Sequence, residues 1–150
     1  MRAVIQRVSN AHLTINGEFK QTMGPGLVIL IGIEESDEES DIQWLSGKIS
    51  RLRIFDDSGG VMNISITDLG GDVMIISQFT LHASTRKGNR PSYIKAASPE
   101  KAITLYHQFI LQMEIDLGKK VLKGEFGAHM QVNLTNDGPV TILIDTKDRK

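Results

Sequence analysis

The stretch LVILIGI, residues 27–33, limits the folds open to this chain more than any other. It lacks the polar–apolar alternation of a half-exposed strand, and it is far too short to cross a bilayer, which takes about 20 apolar residues. Bounded in front by Gly24-Pro25-Gly26, it reads as a buried strand, so the elements around it must supply cover. Upstream, RAVIQRV runs into HLTIN, followed by Asn16-Gly17 as a two-residue hairpin turn and a return strand. Downstream, EESDEESD packs six carboxylates into residues 34–41 and opens a helix. Ser36 with Glu39 has the form of a capping box there, and the carboxylates suit the positive end of the helix dipole. Ile42, Leu45, Ile49 and Leu52 then make one apolar stripe.

Gly59-Gly60 and Gly70-Gly71 bracket a loop-rich piece before DVMIISQFTL, a buried strand ending in a polar loop. A second helix begins at Ser98-Pro99, serine as N-cap and proline at the first helical position. Its stripe is Ala102, Leu105, Phe109, Met113 and Leu117, with Gly118 just past its end. Strands near residues 119–124, 129–135 and 140–145 complete the chain, the last pair reading as a hairpin turned by NDGP. The expected architecture is α/β: a single domain over residues 1–150, with mixed, largely antiparallel sheets and two main helices.

Function classes narrow by what is missing. Cysteine is absent, which removes disulfides, thiol nucleophiles and thiolate metal sites. The four histidines are scattered, with no HExxH, and there is no GxSxG elbow, Walker loop or GxGxxG, so no metal or cofactor is expected. MRAVIQRVSN alternates like a strand and lacks the apolar block of a signal peptide, so a cytosolic protein without membrane attachment is the plain expectation. The net charge of −1 argues against bulk attraction to nucleic acid, but the carboxylates crowded at 34–41 leave room for a basic patch elsewhere.

Three stretches can carry chemistry. Ser77-Gln78-Phe79-Thr80 places polar groups at the end of an apolar strand, either as reactive groups or simply to bond the next loop. STRKGNRPSYIK gathers Arg86, Lys87, Arg90 and Lys95 around glycine and proline with Tyr93 among them; such a loop can grip phosphates and stack a base, or be an ordinary basic surface loop. Gly138-Pro139 removes a backbone donor where the second strand of its hairpin should begin pairing, and it makes a cis peptide accessible.

Taken together, MRAVIQRV, GPGLVILIGIE, WLSGKISRLRIF, SQFTL, TRKGNRPS and FGAHMQVNLTNDGPVT occur in the order and spacing of one family. Over essentially its whole length the chain resembles the D-aminoacyl-tRNA deacylases, whose two signature stretches, SQFTL and NDGPVT, are intact. HAST, before RKGNRPS, departs from the aromatic and acidic residues more usual there.

The resemblance implies a barrel-like core and hydrolysis of the ester joining a D-amino acid, or glycine, to the 3′ end of tRNA. It also implies an obligate homodimer with active sites at the subunit interface, in which a cis Gly138-Pro139 tip from one subunit enters the other's site. Its carbonyls would hold the α-ammonium group there and leave no room for an L side chain. Ser77, Gln78, Phe79 and Thr80 would form the catalytic stretch, with backbone N–H groups around Gln78, Phe79 and Thr80 orienting the ester and stabilising the oxyanion. The family's account assigns the activating role to the 2′-hydroxyl of the terminal adenosine; the alternative is Thr80, the best protein nucleophile on offer, which has no identifiable base beside it. Phe126 and Met130 would wall the adenosine pocket, although both also suit a core. Arg7 would brace the Gly-Pro loop, although a charged residue on an edge strand is the simpler reading. Arg86, Lys87 and Arg90 would bind tRNA. The rival expectation is a nucleic-acid-binding module of the same fold without catalysis.

Overall fold

The run LVILIGI lies at the centre of the sheet. In the computed structural model, which describes residues 1–149, Gly26–Gly32 forms strand β3 after the hairpin of β1 (Arg2–Ile15) and β2 (Glu18–Met23). Asn16 and Gly17 both take positive φ at the hairpin tip, as a type I′ turn requires. β3 runs antiparallel to β1 on one side and parallel to β6 (Asp72–Ser77) on the other. Helix α1 (Glu39–Ser50), a small ribbon of β4 (Phe55–Asp56) with β5 (Met62–Ile64), and the short α2 (Ile66–Leu69) connect β3 to β6. Helix α3 (Pro99–Leu117) connects β6 to the parallel β7 (Leu122–Lys123). A mixed α/β domain results, with the parallel pairs joined through helices and the rest antiparallel.

Alternation along β3 sorts the core into two layers. Leu27, Ile29 and Ile31 face one way and pack with Ala3 and Ile5 of β1 against Ile42, Leu45 and Ile49 of α1 and Phe109 and Met113 of α3. Val28 faces the other way and packs with Met74 and Ile76 of β6 and with Val8, Ala11 and Leu13 of β1. β1 supplies both layers because its register slips between Val8 and Asn10, which flips the face that its odd-numbered residues present. The sheet is nearly closed: the Gln21 side chain of β2 donates to the Lys123 carbonyl and accepts from the Lys123 N–H, both at 3.1 Å, stitching β2 to β7. Tyr106 fastens α3 to the sheet by donating to the Ile75 carbonyl at 2.8 Å, and burial pushes its phenol up to about 12, keeping it a donor.

Several expectations need correction. NDGP is not the turn of a hairpin. Met130–Asp145 is one strand, β8, that pairs antiparallel with β1 along its length. Asn136 lies opposite Val8 and Thr141 opposite Gln6, so residues 137–140 bulge out against Arg7 alone. Turn chemistry in the sequence cannot distinguish a hairpin tip from such an excursion. β1, flanked by β8 on one side and by β3 and β2 on the other, is central, which overturns the edge-strand reading of Arg7. The capping box of α1 is formed by Glu38 and Asp41, not by Ser36 and Glu39, since Asp37 is drawn instead to the Met1 amino group and the Glu34 N–H. Leu52 falls beyond the end of α1, and the strand expected over 119–124 shrinks to Leu122–Lys123.

Candidate active site

β6 ends at Ser77, and the chain turns at once into a 3-10 turn, Phe79–His82. The Gln78 N–H donates to the Ile31 carbonyl at 2.7 Å, which ties the turn to the end of β3. Arg2 then donates to the Leu81 carbonyl at 2.9 Å and to Asp145 at 2.8 Å, fixing the far side. Within the turn, Leu81 N–H bonds the Gln78 carbonyl and Ala83 N–H bonds the Thr80 carbonyl. The first N–H groups of any such turn are left over. Among the described residues those of Phe79 and Thr80 meet no acceptor, so two backbone donors sit at the mouth of the strand.

Two clefts flank this turn. The larger, about 450 Å³, runs from Ser77, Gln78 and Phe79 past Tyr93 to Ala102 on α3 and Phe126. The smaller, about 300 Å³, shares Ser77–Phe79 and Phe126–Gly127 and continues to Met130 and Val132. Phe126 leans on the Tyr106 ring at 6.1 Å between centroids. Ser77, Gln78, Phe79, Phe126 and Met130 thus line the smaller cleft together, and Thr80 is the next residue of the turn.

Thr80 has no base. Its Oγ1 is held by the Gln78 amide, which cannot take a proton near neutral pH, and the neighbouring His82 is buried with neither ring nitrogen hydrogen-bonded. No group of three or more His, Cys, Asp or Glu side chains among the described residues could hold a metal ion.

The basic loop stands next to the cleft. Ser84 and Ser92 exchange two backbone hydrogen bonds, 2.8 and 2.9 Å, that pinch residues 85–91 into a projecting loop. Arg86, Lys87 and Arg90 are exposed on it and form no ion pair among the described residues. At the neck, Tyr93 meets Phe79 edge-on, ring centroids 5.0 Å apart.

Gly138, Pro139 and Arg7 are elsewhere. The Gly138–Pro139 peptide is cis, and both residues are exposed at the tip of the β8 bulge. Asn136 closes the neck of the bulge by accepting from Val140 N–H at 2.7 Å. Arg7 braces it from below, donating to the Asp137 carbonyl at 2.9 Å and to the Ile54 carbonyl at 2.8 Å. Arg7 pairs with Leu27, Leu27 with Val73, and Ser77 lies four residues further along β6. Three strand spacings across and four residues along put the tip roughly 20 Å from Ser77 of its own chain.

Gly32 is a site residue that reading the sequence missed. A Cβ there would meet Leu81 Cβ at 2.9 Å and the Gln78 carbonyl at 3.0 Å, so the 3-10 turn rests directly on its backbone. Glycine inside an apolar strand was the available signal, since it marks a close approach. Gly32→Ala should lift the turn by a few tenths of an ångström, and catalysis should suffer more than folding. We expect kcat/KM to fall at least tenfold while Tm drops only a few degrees; equal, small losses in both would show that the seat does not matter.

The family model and the curated relatives agree on one family. Residues 4–145 match the family model described as D-Tyr-tRNA(Tyr) deacylase. Proteins named D-aminoacyl-tRNA deacylase from Bacteroides fragilis and Bacteroides thetaiotaomicron are 61% and 59% identical over 150 residues, covering all of both chains. Among solved structures, one named c-Myc DNA Unwinding Element Binding Protein is 37% identical, with TM-score 0.89 over 97% of this chain and 98% of that one. Another, of a probable eukaryotic D-amino acid tRNA deacylase, shares the fold at TM-score 0.83 and 17% identity, over 95% of this chain and 97% of that one.

Proposed function

This chain belongs to the D-Tyr-tRNA(Tyr) deacylase family, and on that footing we propose that its cleft hydrolyses the ester of D-aminoacyl-tRNA, and of mischarged glycyl-tRNA, to free tRNA and amino acid. The observation that carries this is the turn after β6, with two unbonded N–H donors at a cleft mouth and no base beside Thr80. Ester cleavage needs a nucleophile and a place for the developing oxyanion charge. The N–H groups of Phe79 and Thr80 serve the oxyanion, and the 2′-hydroxyl of the terminal adenosine, bound between Phe126 and Met130, directs the attacking water, whose oxygen ends in the released carboxylate while the 3′-oxygen leaves protonated on the tRNA. Chirality is read by backbone. The carbonyls around Gly138-Pro139 take the α-ammonium group, and a side chain of L configuration meets the tip.

The tip cannot do this in its own chain, given roughly 20 Å of separation. A second copy therefore supplies it, and the working form is a homodimer with shared sites. Support comes from β8: sixteen residues long, paired on one edge only among the described residues, with half-buried Val132 and Leu134 on one core layer and Val140, Ile142 and Ile144 on the other. No helix among the described residues is long and apolar enough to cross a membrane, and the proposed aminoacyl-tRNA substrate makes the cytoplasm the proposed location.

The deciding assay pairs D- and L-tyrosyl-tRNA with glycyl-tRNA. Release of D-tyrosine and glycine, with L-tyrosine retained at least a hundredfold longer, is the expected result; equal handling of D and L esters would end the reading. The basic loop should contribute affinity without selectivity, because phosphate contacts carry little sequence information. Replacing Arg86, Lys87 and Arg90 by alanine should weaken binding of every tRNA alike and lower the salt slope of log Kd by about 2 to 3. An unchanged slope in filter-binding titrations would remove the loop from the tRNA path.

A second reading has its own observation: the 37% identical structure is named for binding DNA. On that reading the basic loop and aromatic pair grip nucleic acid, and the cleft does no chemistry. Tight binding of D-tyrosyl-tRNA without amino acid release would favour it.

A further inference from the structure

Phe79 and Tyr93 are large aromatics left substantially in water, 56% and 40% exposed, and Ile94 beside them is 89% exposed. Burial of an aromatic ring is among the larger contributions a side chain can make, so an exposed touching pair does little for this fold. Its setting points outward. Phe79 borders both clefts, while Tyr93 borders only the larger one and stands at the Ser84–Ser92 neck of the basic loop. Met130 borders only the smaller cleft, and Arg86, Lys87 and Arg90 lie on the loop beyond the neck where Tyr93 stands. The carboxylates at the cleft side are engaged elsewhere: Glu34 faces the Met1 amino group and Glu35 accepts from the Ser98 N–H, and among the described residues neither pairs with Arg86, Lys87 or Arg90.

Resting on the adenosine placement just proposed, we infer that Phe79 and Tyr93 form a second base-stacking site, which takes the nucleotide preceding the terminal adenosine. Aromatic faces tolerate any base, and cations beyond them follow the backbone, so the turn and the loop make one single-strand track. The step seats the acceptor end before the ester reaches the oxyanion donors, and it makes a dinucleotide ester a better substrate than an adenosine ester. Tyr93 thereby becomes a positioning residue of the enzyme.

The test compares D-tyrosyl-adenosine with D-tyrosyl-cytidylyl-adenosine on the full chain. Wild type should show a higher kcat/KM for the dinucleotide, by roughly five- to hundredfold, the range that stacking of one base provides. Tyr93→Leu should reduce that ratio to near one, and Tyr93→Phe should preserve it. An unchanged ratio in Tyr93→Leu overturns the proposal. So does loss of the ratio in Tyr93→Phe, which would mean a hydroxyl bond and not a stack, and so does a Tyr93→Leu chain whose oligomeric state differs from wild type by sedimentation, which would mean a subunit contact. A readout independent of hydrolysis is quenching of 2-aminopurine placed just before the terminal adenosine of an uncharged oligonucleotide. Quenching by wild type but not by Tyr93→Leu supports the site even if neither ester is cleaved, in which case only the deacylase reading falls; no quenching by wild type overturns the stacking site itself.

Discussion

Replacing Arg7 by methionine should cost this protein both stability and activity, the latter at a site that Arg7 never reaches in its own chain. Arg7 donates through Nε to the Asp137 carbonyl and through one terminal nitrogen to the Ile54 carbonyl, and it is nearly buried. Its carboxylate neighbours, Asp56 at 3.6 Å and Asp137 at 4.0 Å, are more than half exposed and add little. A hydrogen bond from a charged donor is worth about 1.5–3 kcal/mol, and the Ile54 carbonyl loses a buried partner. The Asp137 carbonyl, at an exposed tip, can turn to water. A net loss of about 2–4 kcal/mol follows, a fall in Tm of roughly 5–15 °C at this chain length. Released from below, the bulge no longer aims its carbonyls, and deacylation should drop more than tenfold with dimers still present. Arg7→Lys should lie between the two, since an ammonium group lacks the rigid fork that spans both carbonyls. Melting and turnover of Arg7→Met like those of wild type would refute the bracing role.

That residue also marks where sequence stops short of structure. Local patterns were sufficient for elements whose boundaries are set by local chemistry. Asn16-Gly17 makes its hairpin, and Ser98-Pro99 and Gly118 bound α3, because caps and positive-φ turns are settled within a few residues. The buried strand at LVILIGI was legible because apolar residues on both faces require cover on both faces. Nothing local says that residues 130–145 pair with β1 throughout, so NDGP looks like a hairpin turn until the register with β1 is known. The capping box of α1 failed for a similar reason: Ser36 and Glu39 have the right spacing, but Asp37 is claimed by a group 36 residues away. At the site, SQFT and the basic loop stood out by composition. Gly32 and the Phe79–Tyr93 contact depend on which loop folds over which strand, and a chain read in one dimension does not contain that.

Removing the 2′-hydroxyl from the terminal adenosine of D-tyrosyl-tRNA should slow hydrolysis more than any single side-chain change in the SQFT turn. Within the described residues no imidazole or carboxylate hydrogen-bonds the Thr80 hydroxyl, and its one partner is the Gln78 amide. A hydroxyl of ordinary acidity in that setting is a poor nucleophile. The substrate's own vicinal hydroxyl is already positioned on the neighbouring carbon, and such intramolecular placement replaces an entropic cost that the protein would otherwise carry. A 2′-deoxy substrate should therefore react at least about a hundredfold more slowly, on the order of the gain expected from one well-placed acid–base or nucleophilic group. Thr80→Ala should lose no more than about tenfold, because the N–H of residue 80 remains after the hydroxyl has gone. The pair of measurements separates the two accounts cleanly, provided circular dichroism shows Thr80→Ala folded. If Thr80→Ala were inert while the 2′-deoxy substrate reacted normally, the threonine hydroxyl would be the nucleophile, and the base that activates it would have to come from the partner subunit or the substrate.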